Sequence, residues 1–304
     1  MSPSASRTLL VVFAHPDDES FGPGGTLARY AAEGVAVHLI CATRGEAGEA
    51  EARYLDGYND LAERRLEELR CAGRVLGLAG IHFLDYRDSG MPGSPANRHP
   101  QALIVAPVEE VAAQIANLMR ALRPQVVLTH DPGGGYGHPD HVAVHRATVA
   151  AFHRLLRERP DGYAPERLYF TVFDRRQLAW TVRLMPLFGM DPTALGRNRD
   201  INLKAALERA LPVTTRVDVR DYLEVKQRAA ACHQSQIVGG PGTRNFYGRL
   251  PRWLVRRWRS TETFHRAYPP YANRRVERDL FPLQEDSSVE HLGGLPGTED
   301  PADR

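Results

Sequence analysis

The chain has 304 residues, of which 42% are hydrophobic and 25% are charged, and its formal net charge is only +2. This length is ample for one large hydrophobic core, with or without a smaller appendage. The near-neutral charge gives no overall reason to expect binding to nucleic acid. No apolar run approaches the roughly 20 residues needed to cross a bilayer, and residues 1–7 are polar, so we expect neither membrane insertion nor a signal peptide.

Strand and helix signals alternate along the first half of the chain. Apolar runs predict buried strands, and apolar residues at helical spacing predict the helices between them. In chain order, the pattern predicts a strand at 8–14, a helix at 26–32, a strand at 35–40, a helix at 59–76, a strand at 81–84, a loop at about 85–105, a helix that Pro107 opens, a strand at 125–130 and a helix near 140–157.

This alternation indicates βαβ units, so the predicted fold is α/β: a Rossmann-like, mostly parallel sheet flanked by helices. The pattern weakens after about residue 165, where strands at 168–173 and 213–219 and a helix at 220–232 are the clearest signals. We divide the chain into a catalytic domain at 1–174, a smaller C-terminal α/β portion at 175–270 that completes the substrate cleft, and a flexible tail at 271–304, where apolar residues are few.

Cysteine spacing gives no sign of a disulfide framework. Cys41, Cys71 and Cys232 are odd in number and form no CxxC pair. We therefore expect three small buried hydrophobic side chains in a protein of the reducing cytoplasm.

One short segment, at 252–259, combines arginines with aromatic residues. Such a pattern can suit nucleic acid or an anionic membrane surface. In a near-neutral chain it favours instead a helix that buries Trp253 and Leu254 and keeps its arginines outside.

Two polar motifs follow predicted strands and carry most of the chemistry. Residues 14–19 read Ala-His-Pro-Asp-Asp-Glu, and residues 137–141 read Gly-His-Pro-Asp-His. In parallel α/β sheets, ligands bind beyond the carboxyl ends of the strands. The two motifs are therefore expected to form one shared site.

The residue types in these motifs fit a catalytic metal centre. Three protein ligands and a water are the usual catalytic zinc arrangement, and His15, Asp18 and one of His138 or His141 can supply them. Asp17 would then lie beside the metal, where a carboxylate can accept a proton from water. The histidine that does not bind metal could stabilise an oxyanion or protonate a leaving group, with Asp140 orienting it. Zn²⁺ and Fe²⁺ both accept such ligands.

The combination of the two motifs resembles the family of metal-dependent N-acetylglucosaminyl deacetylases, which includes the phosphatidylinositol-glycan (PIG-L) deacetylases and the bacterial LmbE-like proteins. The residues at 86–91, 129–132 and 136–141 are similar to the branch of this family that handles mycothiol. The matching features run from about residue 8 to 150, with a weaker echo in Lys226 and in residues 233–236.

The resemblance implies a role for each matching residue. His15, Asp18 and His141 would bind the metal. Asp17 would be the general base. His138 would stabilise the tetrahedral intermediate or protonate the amine, and Tyr136 would contact the substrate carbonyl. Arg65 and Asp88 would bind the sugar. The match at Arg65 is loose, because Arg64 is its neighbour in sequence. The implied reaction is hydrolysis of an N-acetyl amide on an amino sugar, which gives acetate and a free amine.

Three alternatives stay open at this stage. Amidases of mycothiol S-conjugates resemble the deacetylases but tend to carry a lysine soon after the first motif, where this chain has Phe21-Gly22-Pro23. Two histidines and a carboxylate also describe non-haem iron oxygenases, although the α/β pattern and the extra Asp17 argue against that class. A non-catalytic binding protein would not need the full set of ligands, base and acid. The sequence does not identify the aglycone of the sugar. It does not determine the oligomeric state either, and a homo-oligomer is one possibility.

Overall fold

A seven-stranded sheet forms the centre of the protein, in a computed structural model that describes residues 7–196, 199–237, 248, 250–271 and 275–281. The strand order is β3-β2-β1-β4-β5-β7-β6. The strands are β1 (Thr8–Phe13), β2 (Ala36–Thr43), β3 (Gly80–Tyr86), β4 (Val126–His130), β5 (Arg167–Thr171), β6 (Thr215–Asp218) and β7 (Thr261–Tyr268).

Helices connect the strands and cover both faces of the sheet. They are α1 (Asp18–Phe21), α2 (Gly24–Ala32), α3 (Leu61–Leu76), α4 (Val108–Leu122), α5 (Pro139–Glu158), α6 (Arg175–Leu184), α7 (Leu203–Arg209), α8 (Leu223–Cys232), α9 (Gln234–Ile237) and α10 (Arg252–Arg259). Short 3₁₀ turns lie at Ala52–Tyr54, Pro95–Arg98, Leu103–Val105, Pro160–Gly162, Met185–Phe188 and Arg220–Tyr222. Within the described residues, no helix is both long and apolar enough to cross a membrane.

The first five strands are parallel, and β7 runs antiparallel to both β5 and β6. The mostly parallel α/β fold predicted from the sequence is therefore confirmed. Strand β1 lies between β2 and β4, so the chain order reverses there. Crevices at such a switch point, outside the carboxyl ends of the strands, are where doubly wound sheets bind ligands.

The core consists of two layers, one on each face of the sheet. Leu9 and Val11 pack into the layer that α2, α3 and α8 cover, whereas Leu10 and Val12 pack into the layer under α4 and α5. All of these side chains are fully buried. This explains why β1 reads as a continuous apolar run and does not alternate, as strands of parallel sheets covered on both faces do.

The chain beyond residue 174 adds two strands, β6 and β7, to this same sheet. It also forms a small apolar cluster of its own, in which Met185 is fully buried and Trp258 packs at the edge. The expectation for the basic segment is only partly met: α10 forms, but Trp253 is 69% exposed and Trp258 makes the packing contact instead. The domain boundary at 174 stays a prediction.

The beginning of the predicted tail packs on the core. Leu280 is fully buried, and its backbone N–H donates to the Tyr30 hydroxyl, which in turn donates to Asp279. Residues 282–304, the rest of that predicted tail, lie outside the described residues.

The prediction that the cysteines form no disulfide is wrong. Cys71 of α3 and Cys232 of α8 are bonded, with their Cα atoms 5.8 Å apart, and Cys41 is free and buried. The bonded pair is separated by 161 residues. No local spacing rule reveals such a bond, because it depends on how α3 packs against α8.

Candidate metal centre and catalytic site

The two predicted motifs meet at the carboxyl ends of β1 and β4. His15 lies just beyond β1, and His138 and His141 lie at the start of α5, which follows β4. The His15 ring centroid is 4.4 Å from that of His138 and 5.2 Å from that of His141. His15 and His141 are 126 residues apart in sequence and adjacent in the structure. The expectation of a shared site is therefore met.

The donor atoms of the three predicted metal ligands lie close together. His15 Nδ1 lies 3.2 Å from His141 Nε2 and 3.6 Å from Asp18 Oδ2, and His141 Nε2 lies 3.4 Å from Asp18 Oδ1. Ligands bound at 2.0–2.2 Å in a tetrahedron are about 3.4 Å apart. The spacing and chemistry of these donors therefore fit a divalent metal.

Neighbouring side chains widen the set of donors around this point. Donor atoms lie within 4.8 Å of one another in three overlapping groups: His15, His138 and His141; Asp18, His130 and His141; and His15, Asp88 and Asp140. His138 is the N-cap of α5, and its Nδ1 accepts a hydrogen bond from the Asp140 backbone N–H at 3.2 Å. A neutral His138 therefore carries its proton on Nε2.

The carboxylate of Asp140 faces His15 and not His138, where the sequence pattern had placed it. Its Oδ2 lies 3.2 Å from His15 Nε2 and accepts the backbone N–H of Ser89 at 2.9 Å. Asp140 is fully buried in the first turn of α5. A carboxylate on the far nitrogen of a ligating histidine fixes its tautomer and orientation.

Asp88 approaches the same nitrogen of His15 from the loop after β3. Its Oδ1 is 3.5 Å from His15 Nε2, and its two oxygens accept backbone N–H groups of Ala47 and Gly90. Burial raises the pKa of Asp88, but the charge on His15 and these hydrogen bonds outweigh it, so the pKa lies below its usual range. The structure thus brings Asp88 into the cluster, and its predicted contact with a sugar stays a prediction.

Asp17 sits beside the donor atoms in an uncommon backbone conformation. Its φ of 118° is positive, which is rare for a residue other than glycine and is found where the surroundings hold the backbone. Its Oδ2 accepts a hydrogen bond from Arg65 Nη2 at 3.1 Å. Burial raises the pKa of Asp17 to about 6; Arg65 opposes the rise and the charge of Asp18 adds to it.

The structure distinguishes Arg65 from its neighbour Arg64. Arg65 is buried and also donates to the backbone carbonyls of Gly45 and Pro16, at 2.8 and 2.6 Å. Arg64 donates instead to Glu68 and to the Tyr58 hydroxyl. Arg65 therefore holds the loop that carries Asp17, and its predicted contact with the sugar stays a prediction.

A glycine-rich loop brings Tyr136 to the cluster. Gly134, Gly135 and Gly137 all have positive φ, and the Asp131 carboxylate fixes the loop by accepting the Gly135 N–H. The Tyr136 ring lies 5.5 Å from that of His141. Burial raises the pKa of Tyr136 above its usual value, so its hydroxyl remains a donor at neutral pH.

Two parts of the site were not predicted from the sequence. His130, at the end of β4, stacks on His141 with ring centroids 3.8 Å apart, and its Nε2 lies 3.5 Å from Asp18. Its position at a strand end next to β1 was the available signal. The second part is a buried contact between Glu19 and His233, which lie 214 residues apart.

Comparison with known proteins identifies relatives of this chain. The sequence pattern of the GlcNAc-PI de-N-acetylase (PIG-L) family matches residues 10–152. Over 245 residues the chain is 40% identical to the 1D-myo-inositol 2-acetamido-2-deoxy-alpha-D-glucopyranoside deacetylase of Acidothermus cellulolyticus, covering 77% of this chain and 82% of the relative. The protein of the same name from Rhodococcus erythropolis is 35% identical, over 92% of this chain and 98% of its own length.

A solved structure shares the fold. The N,N'-diacetylchitobiose deacetylase of Pyrococcus horikoshii, in complex with an inhibitor, superposes with a TM-score of 0.58. The alignment covers 86% of this chain and 84% of that one, at 21% identity. At this identity the likeness concerns the fold alone.

Proposed function

We propose that this chain, which belongs to the PIG-L family of GlcNAc-PI de-N-acetylases, hydrolyses the N-acetyl group of a GlcNAc-containing glycoside with the help of a bound metal. The observation that carries the proposal is the convergence of His15 Nδ1, Asp18 and His141 Nε2 at 3.2–3.6 Å beside the partly buried carboxylate of Asp17. The name of the relatives suggests an inositol as the aglycone.

His15, Asp18 and His141 would hold the metal. The donors suit Zn²⁺, and Fe²⁺ is accommodated by the same ligand types. When bound, the metal polarises the acetyl carbonyl and lowers the pKa of water. Asp140 and Asp88 keep the Nε2 of His15 engaged, so that its Nδ1 would be the nitrogen left to hold a metal.

Asp17 serves as the general base. Its pKa of about 6 lets it be ionised at neutral pH and still accept a proton from the attacking water. Arg65 holds the carboxylate in place through a direct hydrogen bond. The proton taken up by Asp17 is then available for the amine that leaves when the C–N bond breaks.

His138 and Tyr136 would stabilise the oxyanion of the tetrahedral intermediate. Because His138 Nδ1 accepts the Asp140 N–H, its Nε2–H is free to donate. Burial lowers the pKa of His138 to about 3, with the charge of His15 adding to the effect, so it is neutral at working pH. A neutral imidazole can donate a hydrogen bond to an oxyanion but is a poor source of a proton for the amine. Of the two roles implied for His138 by the family resemblance, this favours oxyanion stabilisation.

The test combines metal analysis with an assay for the released amine. We would measure turnover on GlcNAc-inositol, GlcNAc-malate and a bimane-labelled thiol S-conjugate. We expect Asp17→Asn to retain metal and lose most turnover, and His15→Ala and His141→Gln to lose both. His153 is an exposed histidine on the same helix as His141, so His153→Gln is the matched control. This variant should keep both its metal and its turnover.

Each alternative has its own outcome in this assay. Faster cleavage of the thiol conjugate than of any N-acetyl sugar would make the chain an S-conjugate amidase. Metal binding without hydrolysis of any compound would favour a binding protein. Oxygen consumption with 2-oxoglutarate would indicate an oxygenase. Near-full activity of Asp17→Asn would contradict the assignment of the base.

A further inference from the structure

The first motif is in buried contact with a histidine 214 residues later in the chain. Glu19 and His233 are both fully buried, and Glu19 Oε1 lies 2.7 Å from His233 Nε2. The Ser20 hydroxyl donates to the same oxygen. A carboxylate in the interior is costly unless it is paired and hydrogen-bonded, so His233 is what makes a buried Glu19 tolerable.

The other oxygen of Glu19 reaches the backbone of Asp17. Glu19 Oε2 accepts the Asp17 N–H at 2.9 Å. This N–H belongs to the residue whose φ of 118° is uncommon for a side-chain-bearing residue. Conformations of this kind persist only where surrounding contacts hold them. Glu19 therefore links His233 on one oxygen to the strained backbone of Asp17 on the other.

The segment that carries His233 is itself fixed at both ends. On one side, Cys232 is bonded to Cys71 of α3. On the other side, the backbone N–H and hydroxyl of Ser235 both donate to Glu68 of α3, at 2.8 and 2.7 Å. The same helix presents Arg65 to the Asp17 carboxylate. The anchored segment and α3 thus form one support for the loop of the base.

We propose that His233 is a positioning residue for catalysis, which acts through Glu19 to hold Asp17 in its productive backbone conformation. The inference rests on the proposed function, in which Asp17 is the general base. Among the described residues, His233 makes no hydrogen bond to the predicted metal ligands or to the Asp17 side chain, and its charge acts on Asp17 only through space, where it lowers the pKa of that carboxyl. Its loss should misplace the base and leave both the metal donors and the sugar contacts in position.

The decisive comparison is between His233→Gln and His233→Leu. Glutamine places an N–H donor near the position of Nε2 and keeps Glu19 paired, whereas leucine fills similar space without a donor. We expect His233→Leu to lower kcat by about 100-fold, the effect of a displacement of about 1 Å in a catalytic group. KM should change by less than about threefold and metal content should stay at the wild-type level, because binding is unaffected. His233→Gln should recover most of kcat.

Ser235→Ala is the matched control. Ser235 is as buried as His233 and lies two residues away, but its hydrogen bonds go to Glu68 and not to the first motif. Its kcat should stay within about threefold of wild type, since the loss is only of support at a distance. An equal loss of kcat in Ser235→Ala and His233→Leu would reduce His233 to a general structural role and overturn the proposal.

Further readouts guard against misfolding. If His233→Leu loses metal or melts in the assay range, the cycle of Glu19→Gln, His233→Asn and their double variant replaces it, because asparagine is too short to keep the contact with Glu19. Non-additive effects on kcat within that cycle support the coupling, and strictly additive effects overturn it. Wild-type kcat in His233→Leu also overturns it. Asp17→Asn separates the two proposals: full activity there defeats the proposed base, whereas an inactive Asp17→Asn beside a fully active His233→Leu defeats only this inference.

Discussion

The Arg65 guanidinium donates to the Asp17 carboxylate across 3.1 Å, although 48 residues separate the two in sequence. Arg65 comes from α3, which packs beside the loop after β1, and its Nη1 and Nη2 also donate to the carbonyls of Gly45 and Pro16. A planar guanidinium can hold three acceptors at fixed angles, which the single ammonium of lysine cannot do. The carboxylate of the proposed base is thus oriented by a residue that two backbone carbonyls hold in place.

Replacing Arg65 with lysine should therefore lower kcat by about 100-fold, because the base is displaced without being removed. Metal content should not change, since no predicted ligand is touched. Arg64→Lys is the control, because Arg64 donates to the buried Glu68 and to Tyr58 and not to the Asp17 carboxylate. Steady-state kinetics with metal analysis on both variants is the measurement. Equal losses in the two would show that Arg65 has no special relation to the base.

Gly45 offers a second test of this arrangement. Its φ is +72°, and a Cβ built there would overlap the Arg65 guanidinium. Gly57 has a similar φ of +82° but no atom within 4 Å of its Cβ position. Both alanine variants carry the left-handed backbone penalty of about 1–2 kcal/mol. Only Gly45→Ala should also lose activity, by displacing Arg65.

Thermal unfolding and amine release separate the two effects of these glycine substitutions. If movement of the Arg65 side chain relieves the clash, the two variants should lose similar stability. Their free energies of unfolding should then agree within about 1 kcal/mol. Activity should then differ sharply between the two variants. Full activity of Gly45→Ala would show that Arg65 can leave its position without consequence for turnover.

The sheet and the meeting of the two motifs could be predicted from sequence because both depend on local patterns. Apolar runs mark β1 and β4 as buried strands, and the rule for parallel sheets places the loops after these strands at one edge. That reasoning needs no knowledge of how side chains point. It placed His15 and Asp18 at one site with His138 and His141, and these side chains do lie together in the structure.

The contacts that orient the site could not be predicted, because they depend on tertiary packing. Asp140 reaches His15 and not its neighbour His138, since its side chain leaves the first turn of α5 toward β1. His233 and Cys232 find their partners across 214 and 161 residues. Neither separation leaves a local signal. Sequence therefore identifies the groups that do the chemistry more readily than the groups that hold them.

The disulfide between Cys71 and Cys232 should contribute measurably to stability. A cross-link that closes a long loop typically stabilises the folded state by about 2–4 kcal/mol. Cys71→Ser should lower the melting temperature accordingly, as should reduction of the wild-type protein. Denatured but unreduced protein should show one free thiol, Cys41, and reduced protein three. Three free thiols before reduction would show that the bond is absent in solution.

Two histidines far from the metal centre should make stability depend on pH. His82 Nε2 lies 3.3 Å from His38 Nδ1 on adjacent strands. Burial lowers the pKa of His38 below the ordinary 6.5, with His82 adding to it, and burial lowers the pKa of His82 as well. In the unfolded chain both regain their ordinary pKa. The unfolded state therefore binds more protons than the folded state once the pH falls toward 6.5.

Stability should consequently be highest above pH 6.5 and fall as the pH drops from there toward the folded pKa values, below which this contribution levels off. His82→Gln removes one titrating group and relieves the other, so its free energy of unfolding should fall less between pH 7.5 and about 5.5. Metal ligands also take up protons in this pH range, and they do so in both proteins. The quantity to compare is therefore the difference in free energy of unfolding between wild type and His82→Gln. Urea titrations at matched pH values give it directly. Parallel pH profiles would show that the pair remains free to protonate in the folded protein.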